Sequence, residues 1–158
     1  MYKVGQNVVY PMHGVGKIDA IERKKICGKI SKYYVIKILQ GNIKIMVPVD
    51  KSDEIGLRPV IDKKEVPKVL KILKNKGGKL DSDWKTRYQS NTDKIKTGSI
   101  YEIAEVVRDL YKRNKEKELS LMERKMYENA LNQIITEISI AKDIKYEEAE
   151  KIINKILP

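Results

Sequence analysis

Apolar and polar residues alternate with a period of two along the first third of this chain, and from about residue 63 they follow a helical period. In the run Ile43-Lys44-Ile45-Met46-Val47-Pro48-Val49, the odd positions are aliphatic and the even ones are not. That pattern predicts a strand with one buried face. Gln40-Gly41-Asn42 joins it to Tyr33-Tyr34-Val35-Ile36-Lys37-Ile38-Leu39, and Cys27-Gly28-Lys29 marks a second turn upstream. Pro48 has no N–H for a ladder, so its strand is expected at a sheet edge, where unpaired main-chain groups could take up a partner strand. Four or five such strands within residues 1–57 predict a small antiparallel Tudor- or SH3-like β-barrel.

Residues 58–65, with Pro59 as their one stiffener, read as a linker, and residues 66–158 as a helical bundle of about five helices. Val66, Val69, Leu70 and Leu73 line one helix, which carries Pro67 in its first turn and is expected to stop at Gly77-Gly78. A second helix is expected from Ser82 or Asp83 to just before Gly98. Ser99-Ile100-Tyr101-Glu102 and Ser120-Leu121-Met122-Glu123 are capping-box sequences that open two longer helices. Ile103, Val107 and Leu110 make the stripe of the first; Tyr127, Ala130, Leu131, Ile134 and Ile138 make that of the second. A last helix from about Asp143 presents Ala149, Ile152, Ile153 and Ile156. The fold class is therefore α+β with two domains.

The net charge of +11 favours a polyanionic partner, and its distribution narrows the place. Residues 1–57 hold ten basic against five acidic residues, residues 63–96 eleven against four, and residues 97–158 eleven against twelve. The excess thus lies in the barrel and in the two helices around Trp84, the sole tryptophan. One cysteine (Cys27, read as a turn residue) and one histidine (His13, read as part of the Pro11-Met12-His13-Gly14 turn) leave no disulfide and no zinc-ligand spacing. No glycine-rich phosphate loop or nucleophile elbow occurs, and Gly5, Gly14 and Gly16 read as turn or bulge residues. No enzyme activity and no cofactor are expected. The opening residues read as strand and not as a leader, and no apolar run approaches a membrane span, so a soluble, cytoplasmic protein is expected.

Trp84 lies in Asp81-Ser82-Asp83-Trp84-Lys85-Thr86-Arg87-Tyr88, at an expected helix start with basic residues behind it. Two roles are open on these residues: a core side chain, or an aromatic wedge beside nucleic-acid phosphates. Basic barrels and basic helix pairs both bind nucleic acid directly, so an architectural nucleic-acid-binding protein is one reading.

Val4-Gly5-Gln6-Asn7-Val8-Val9-Tyr10-Pro11-Met12-His13-Gly14 resembles the opening of the CarD-like (CdnL) bacterial transcription regulators. Gln40-Gly41 with Val47-Pro48-Val49, the Trp84-to-Tyr88 segment, Ala104-to-Leu110 and Leu119-to-Met126 resemble later motifs of that family, in order along nearly the whole chain. The opening alone is also similar to the polymerase-interacting module of the transcription-repair coupling factor; the C-terminal motifs separate the two. The resemblance implies a Tudor-like domain bound to the RNA polymerase β-subunit lobe, and a helical domain that contacts promoter DNA at the upstream edge of the melted region. A tryptophan in the minor groove there opposes bubble collapse.

At positions matching the family, Ile36, Met46 and Pro48, with Lys24 and Lys44 as electrostatic contacts, are the expected polymerase-binding residues. Trp84, Lys85, Arg87, Arg124 and Lys125 are the expected DNA-binding ones. Lys24 stands where some relatives have arginine, and Met46 where a basic residue also occurs, which makes this polymerase contact more apolar. Thr86 separates Lys85 from Arg87 where some relatives have adjacent arginines. Backbone contacts of this kind imply weak sequence preference and affinity that falls with salt. The chain is read as a monomer.

Overall fold

In the computed structural model, which describes residues 1–157, β1 (Asn7–Tyr10), β2 (Gly14–Ile26), β3 (Lys29–Ile38), β4 (Lys44–Pro48) and β5 (Arg58–Pro59) form one antiparallel sheet. Their order is β4-β3-β2-β1-β5, which puts β4 at an edge as Pro48 predicted. The turns use left-handed positions, mostly at residues that tolerate them. Gly41 and Asn42 supply those between β3 and β4, and Gly28 (φ 78°) with the less tolerant Cys27 (φ 53°) closes the β2–β3 hairpin. In the β1–β2 turn the exposed His13 donates its backbone N–H to Tyr10 O at 3.0 Å, and its ring meets the Tyr10 ring edge-on at 5.1 Å.

Strand alternation sets the inner face of β3, although Val35 on its other face is buried as well. Tyr34, Ile36 and Ile38 point inward with Val47, and pack with Val8, Ile18 and Leu57. The Tyr34 hydroxyl keeps a polar partner by accepting from the Tyr2 N–H at 3.0 Å. One-turn helix α1 (Ser52–Ile55) ends at Gly56 in the left-handed conformation and leads into β5. Gly5 and Gly14 are turn glycines with φ near 90°, but Gly16 corrects the expectation: it lies inside β2 opposite Ile38. A Cβ there would stand 2.6 Å from Ile36 Cγ2 and 3.1 Å from the Lys37 carbonyl. Gly16→Ala is therefore expected to cost about 1–3 kcal/mol by overpacking. Hydrogen exchange should find the loss in the β1–β3 amides and not in the helices; uniform protection of both variants would count against the close approach.

The chain divides into two compact units at Val60/Ile61. The expected linker at 58–65 is corrected on both sides. Arg58 and Pro59 pair with Val9 and Val8 of β1 and so complete the sheet. Ile61 packs on the helical core, its N–H donating to Glu137 Oε2 at 3.0 Å, and a 3-10 turn at Lys63–Glu65 follows.

The second unit contains α2 (Val66–Lys74), α3 (Trp84–Lys96), α4 (Ile100–Glu116), α5 (Leu121–Lys142) and α6 (Tyr146–Ile156). Val66, Val69 and Leu73 of α2 meet Ile103, Val107 and Leu110 of α4 and Ile134 and Ile138 of α5 in one aliphatic core. The Ser120 cap is formed, with its hydroxyl accepting from the Glu123 N–H at 3.2 Å, whereas Ser99 occupies the N-cap position without a side-chain hydrogen bond. The last helix starts later than expected. Asp143 adopts φ 53° as the C-cap of α5, a conformation Asp tolerates better than most residues, and only at Tyr146 does α6 begin.

Candidate functional site

Two surfaces collect the residues singled out by sequence, one in each unit. In the sheet, Met46 lies opposite Val35 and Pro48 opposite Tyr33, while Glu22 and Lys24 of β2 face Tyr33 and Ser31. Alternation therefore puts Lys24, Lys44, Met46 and Pro48 on the outer face, together with Ala20, Tyr33 and Val35. Ile36 is the exception. It points into the core with no exposed surface, so it cannot serve as a surface contact.

The ladder also settles which groups β4 leaves open. Ile38 N–H donates to Ile43 O at 2.8 Å, so by antiparallel alternation Ile45 and Val47 turn their main-chain groups toward β3. Lys44 and Met46 then point theirs outward. Pro48 occupies another outward position, where its missing N–H takes nothing from the ladder. A β-bulge at Asp19 brings that carboxylate 3.2 Å from Lys44 Nζ, an exposed pair of little stability that exchanges readily for another partner.

In the helical unit, short connections make α3, α4 and α5 run alternately, so that the N-termini of α3 and α5 and the C-terminus of α4 share one end. Three contacts fix that end. Leu119 N–H donates to Asn114 Oδ1 at 3.4 Å, Lys112 Nζ donates to Gly78 O at 3.3 Å, and the Arg87 guanidinium reaches Glu123. Gly77 lets the loop before α3 lie close on α4, since a Cβ would meet Arg108 Nε at 2.8 Å.

Arg87 is corrected most sharply. Its Nε and Nη2 donate to the two carboxylate oxygens of Glu123 at 2.7 and 2.8 Å, and Nη1 donates to Asp81 O at 2.8 Å. Both side chains are buried, and the hydrogen bonds to Glu123 raise the guanidinium pKa further above its already high value. A fork committed in this way cannot also hold a DNA phosphate. Arg87 is an anchor: it ties the start of α3 to the start of α5.

That anchor explains where Trp84 goes. Trp84, Tyr88, Asn91 and Ile95 follow one another at i, i+4, i+7 and i+11, a single stripe whose later members face the bundle. Trp84 stands at the very start of the stripe and overhangs the end, 43% exposed. It is therefore a partly packed, partly open ring, between the two roles its sequence left open. At the N-cap of α3 the Asp83 carboxylate accepts from the Thr86 hydroxyl at 2.8 Å, which with the nearby Lys85 and Thr86 amides lowers its pKa and sets a negative charge against the first turn.

Lys85, Arg124 and Lys125 are all exposed here, Arg124 in a 3.3 Å contact with Glu118. The last turns of α4 add Lys112, Arg113 and Lys115, with Lys117 just beyond, against Glu116 and Glu118. These cations escaped the sequence reading because residues 97–158 are nearly neutral as a block. Folding concentrates them at one end. Among the described residues no group of His, Cys, Asp and Glu is placed to hold a metal ion, and no helix is long and apolar enough to cross a membrane.

The chain thus joins a small antiparallel sheet with an open edge to a helical unit that carries exposed cations and a half-exposed tryptophan at one end. Comparison with known proteins gives the family. Residues 2–61 match the CarD-like/TRCF RID domain, a polymerase-interacting domain, and residues 68–154 match the CarD C-terminal domain. The putative transcription factor YdeB of Bacillus subtilis (strain 168) is 43% identical over 144 residues, covering 91% of this chain and 94% of that protein. The chain belongs to the CarD family of transcription factors, which is not enzymatic. Among solved structures, CdnLNt from Myxococcus xanthus is 38% identical over 39% of this chain and 86% of its own, with a TM-score of 0.34. The 72-residue N-terminal domain of Myxococcus xanthus CarD is 32% identical over 37% and 79%, with a TM-score of 0.33.

Proposed function

We infer that this protein regulates transcription initiation by holding the RNA polymerase β-subunit lobe with its N-terminal unit and stabilising the open promoter complex with its helical unit. The observation that carries the reading is the half-open Trp84 at the end of the helical unit that also holds the exposed Lys85, Arg124 and Lys125. Phosphates can pair with Lys85, Arg124 and Lys125 without reading bases, while the indole enters the minor groove at the fork. The open β4 edge offers the main-chain groups of Lys44 and Met46 to a strand of the polymerase lobe, with Met46 and Pro48 as side-chain contacts and Lys24 and Lys44 beside them. Binding to polymerase raises the effective concentration of the helical unit at the DNA. Contacts made only with the bubble open then shift the equilibrium toward it.

The test is the lifetime of open complexes on a bacterial promoter after competitor challenge, with and without the protein. A longer lifetime is expected. Met46→Glu should abolish the effect at limiting protein and weaken binding to DNA-free polymerase about tenfold, the equivalent of losing one buried apolar side chain. Met46 is 39% exposed, so the sheet itself should be unharmed. Lifetimes unchanged by the intact protein would set polymerase aside and leave an architectural nucleic-acid binder.

A further inference from the structure

We propose that Trp84 does not act alone: Leu121 and Met122, the first two residues of α5, form a second apolar contact with the sugars and base edges of the same nucleic acid. The inference rests on the nucleic-acid reading of the Trp84 end and adds residues that reading did not need. Among the described residues the helical unit exposes four large apolar side chains, Trp84, Leu121, Met122 and Tyr146, and the first three are at one end. Leu121 is the most exposed of them at 84%, and Met122 is 51% exposed. The capping chemistry of α5 does not require either. Ser120 and Glu123 make the cap and the buried pair, so positions 121 and 122 could carry any good helix former.

The geometry brings the two apolar elements together. The bidentate Arg87–Glu123 pair joins the first turns of α3 and α5, with Trp84 three residues before Arg87 and Leu121 and Met122 directly before Glu123. That side-chain bridge, and not direct packing of α3 on α5, places the indole and the Leu121–Met122 pair at the same end of the bundle. α3 and α5 run in the same direction, and side chains of a helix tilt toward its N-terminus. Both sets therefore lean toward that end of the bundle.

Charge decides the occupant. An exposed apolar patch among polar residues marks an interaction site, and at this end the cations Lys85, Lys112, Arg113, Lys115, Lys117, Arg124 and Lys125 outnumber the carboxylates Asp81, Asp83, Glu116 and Glu118. Phosphates flanking apolar sugar edges match that arrangement, as a minor groove opened at a duplex end presents them.

The experiment measures binding of the full chain to a labelled fork DNA, a duplex with an unpaired end, and to the uninterrupted duplex at low salt. It compares the intact protein, the double variant Leu121→Ser/Met122→Ser, Leu121→Ser alone and Trp84→Ala. The double variant is expected to bind the fork about tenfold more weakly, with an unchanged salt slope because no cation has been removed. Leu121→Ser alone should show part of that loss, and its exposure protects the fold. Fork binding equal to the intact protein, with Trp84→Ala still weakened, would overturn the second contact and leave the wedge standing. Weaker polymerase binding with unchanged fork binding would also overturn it, by assigning the patch to a protein partner. If the intact protein binds neither DNA, the underlying nucleic-acid reading fails as well.

Discussion

Glu123→Ala is expected to be the most damaging single substitution in the helical unit, lowering its stability by about 3–5 kcal/mol. The cause is asymmetry. The Arg87–Glu123 pair is buried, and its own net stabilisation is small because both charges lost their water on folding. Removing one partner leaves the guanidinium buried with only the Asp81 carbonyl for company. For a domain of this size each kcal/mol moves Tm by about 4–8 °C, so the transition should fall by at least about 12 °C. Trp84 is the sole tryptophan, so its fluorescence follows this unit without interference from the sheet. Replacing both partners, Arg87→Met with Glu123→Leu, should recover most of the loss, as isosteric apolar pairs often do. A loss below about 1 kcal/mol in the single variant would mean that water reaches the guanidinium, and the anchor would have to be abandoned.

The same pair shows where reading the sequence stops. Periodicity and turn chemistry are local, and they located the β3–β4 hairpin, the edge position of Pro48 and the formed cap at Ser120, because each is decided within a few residues. Arg87 looked like a phosphate ligand because its neighbours are basic. Its partner is 36 residues away, and nothing local announces a buried carboxylate. Ile36 differs for another reason: its parity with Tyr34 and Ile38 assigns it to the core, and only the family resemblance points to it as a surface contact. Lys112 and Lys115 were hidden by averaging, since a neutral segment can still carry its cations at one end. The late start of α6 turned on a single left-handed residue, Asp143. Propensity rates such a residue as a weak helix former, whereas the backbone uses it as a stop.

Trp84→Ala is expected to shorten open-complex lifetime toward the value without the protein. A stacked or inserted ring contributes roughly 1–3 kcal/mol, which bounds the effect at about 5- to 150-fold. Polymerase binding should be unchanged, because the substitution lies outside the sheet unit. Charge alone cannot imitate this result, and comparison with Glu123→Ala separates the two explanations. Loss of the Glu123 carboxylate makes the same end more positive, so a protein acting only by attracting phosphate should hold open complexes longer. If the Arg87–Glu123 anchor positions the indole, the lifetime should instead fall with Glu123→Ala, at temperatures where the helical unit is still folded. A longer lifetime in that variant would point to a cationic surface in which Trp84 is incidental. Shortening in both would tie a buried ion pair, through the placement of one half-open ring, to the stability of melted DNA.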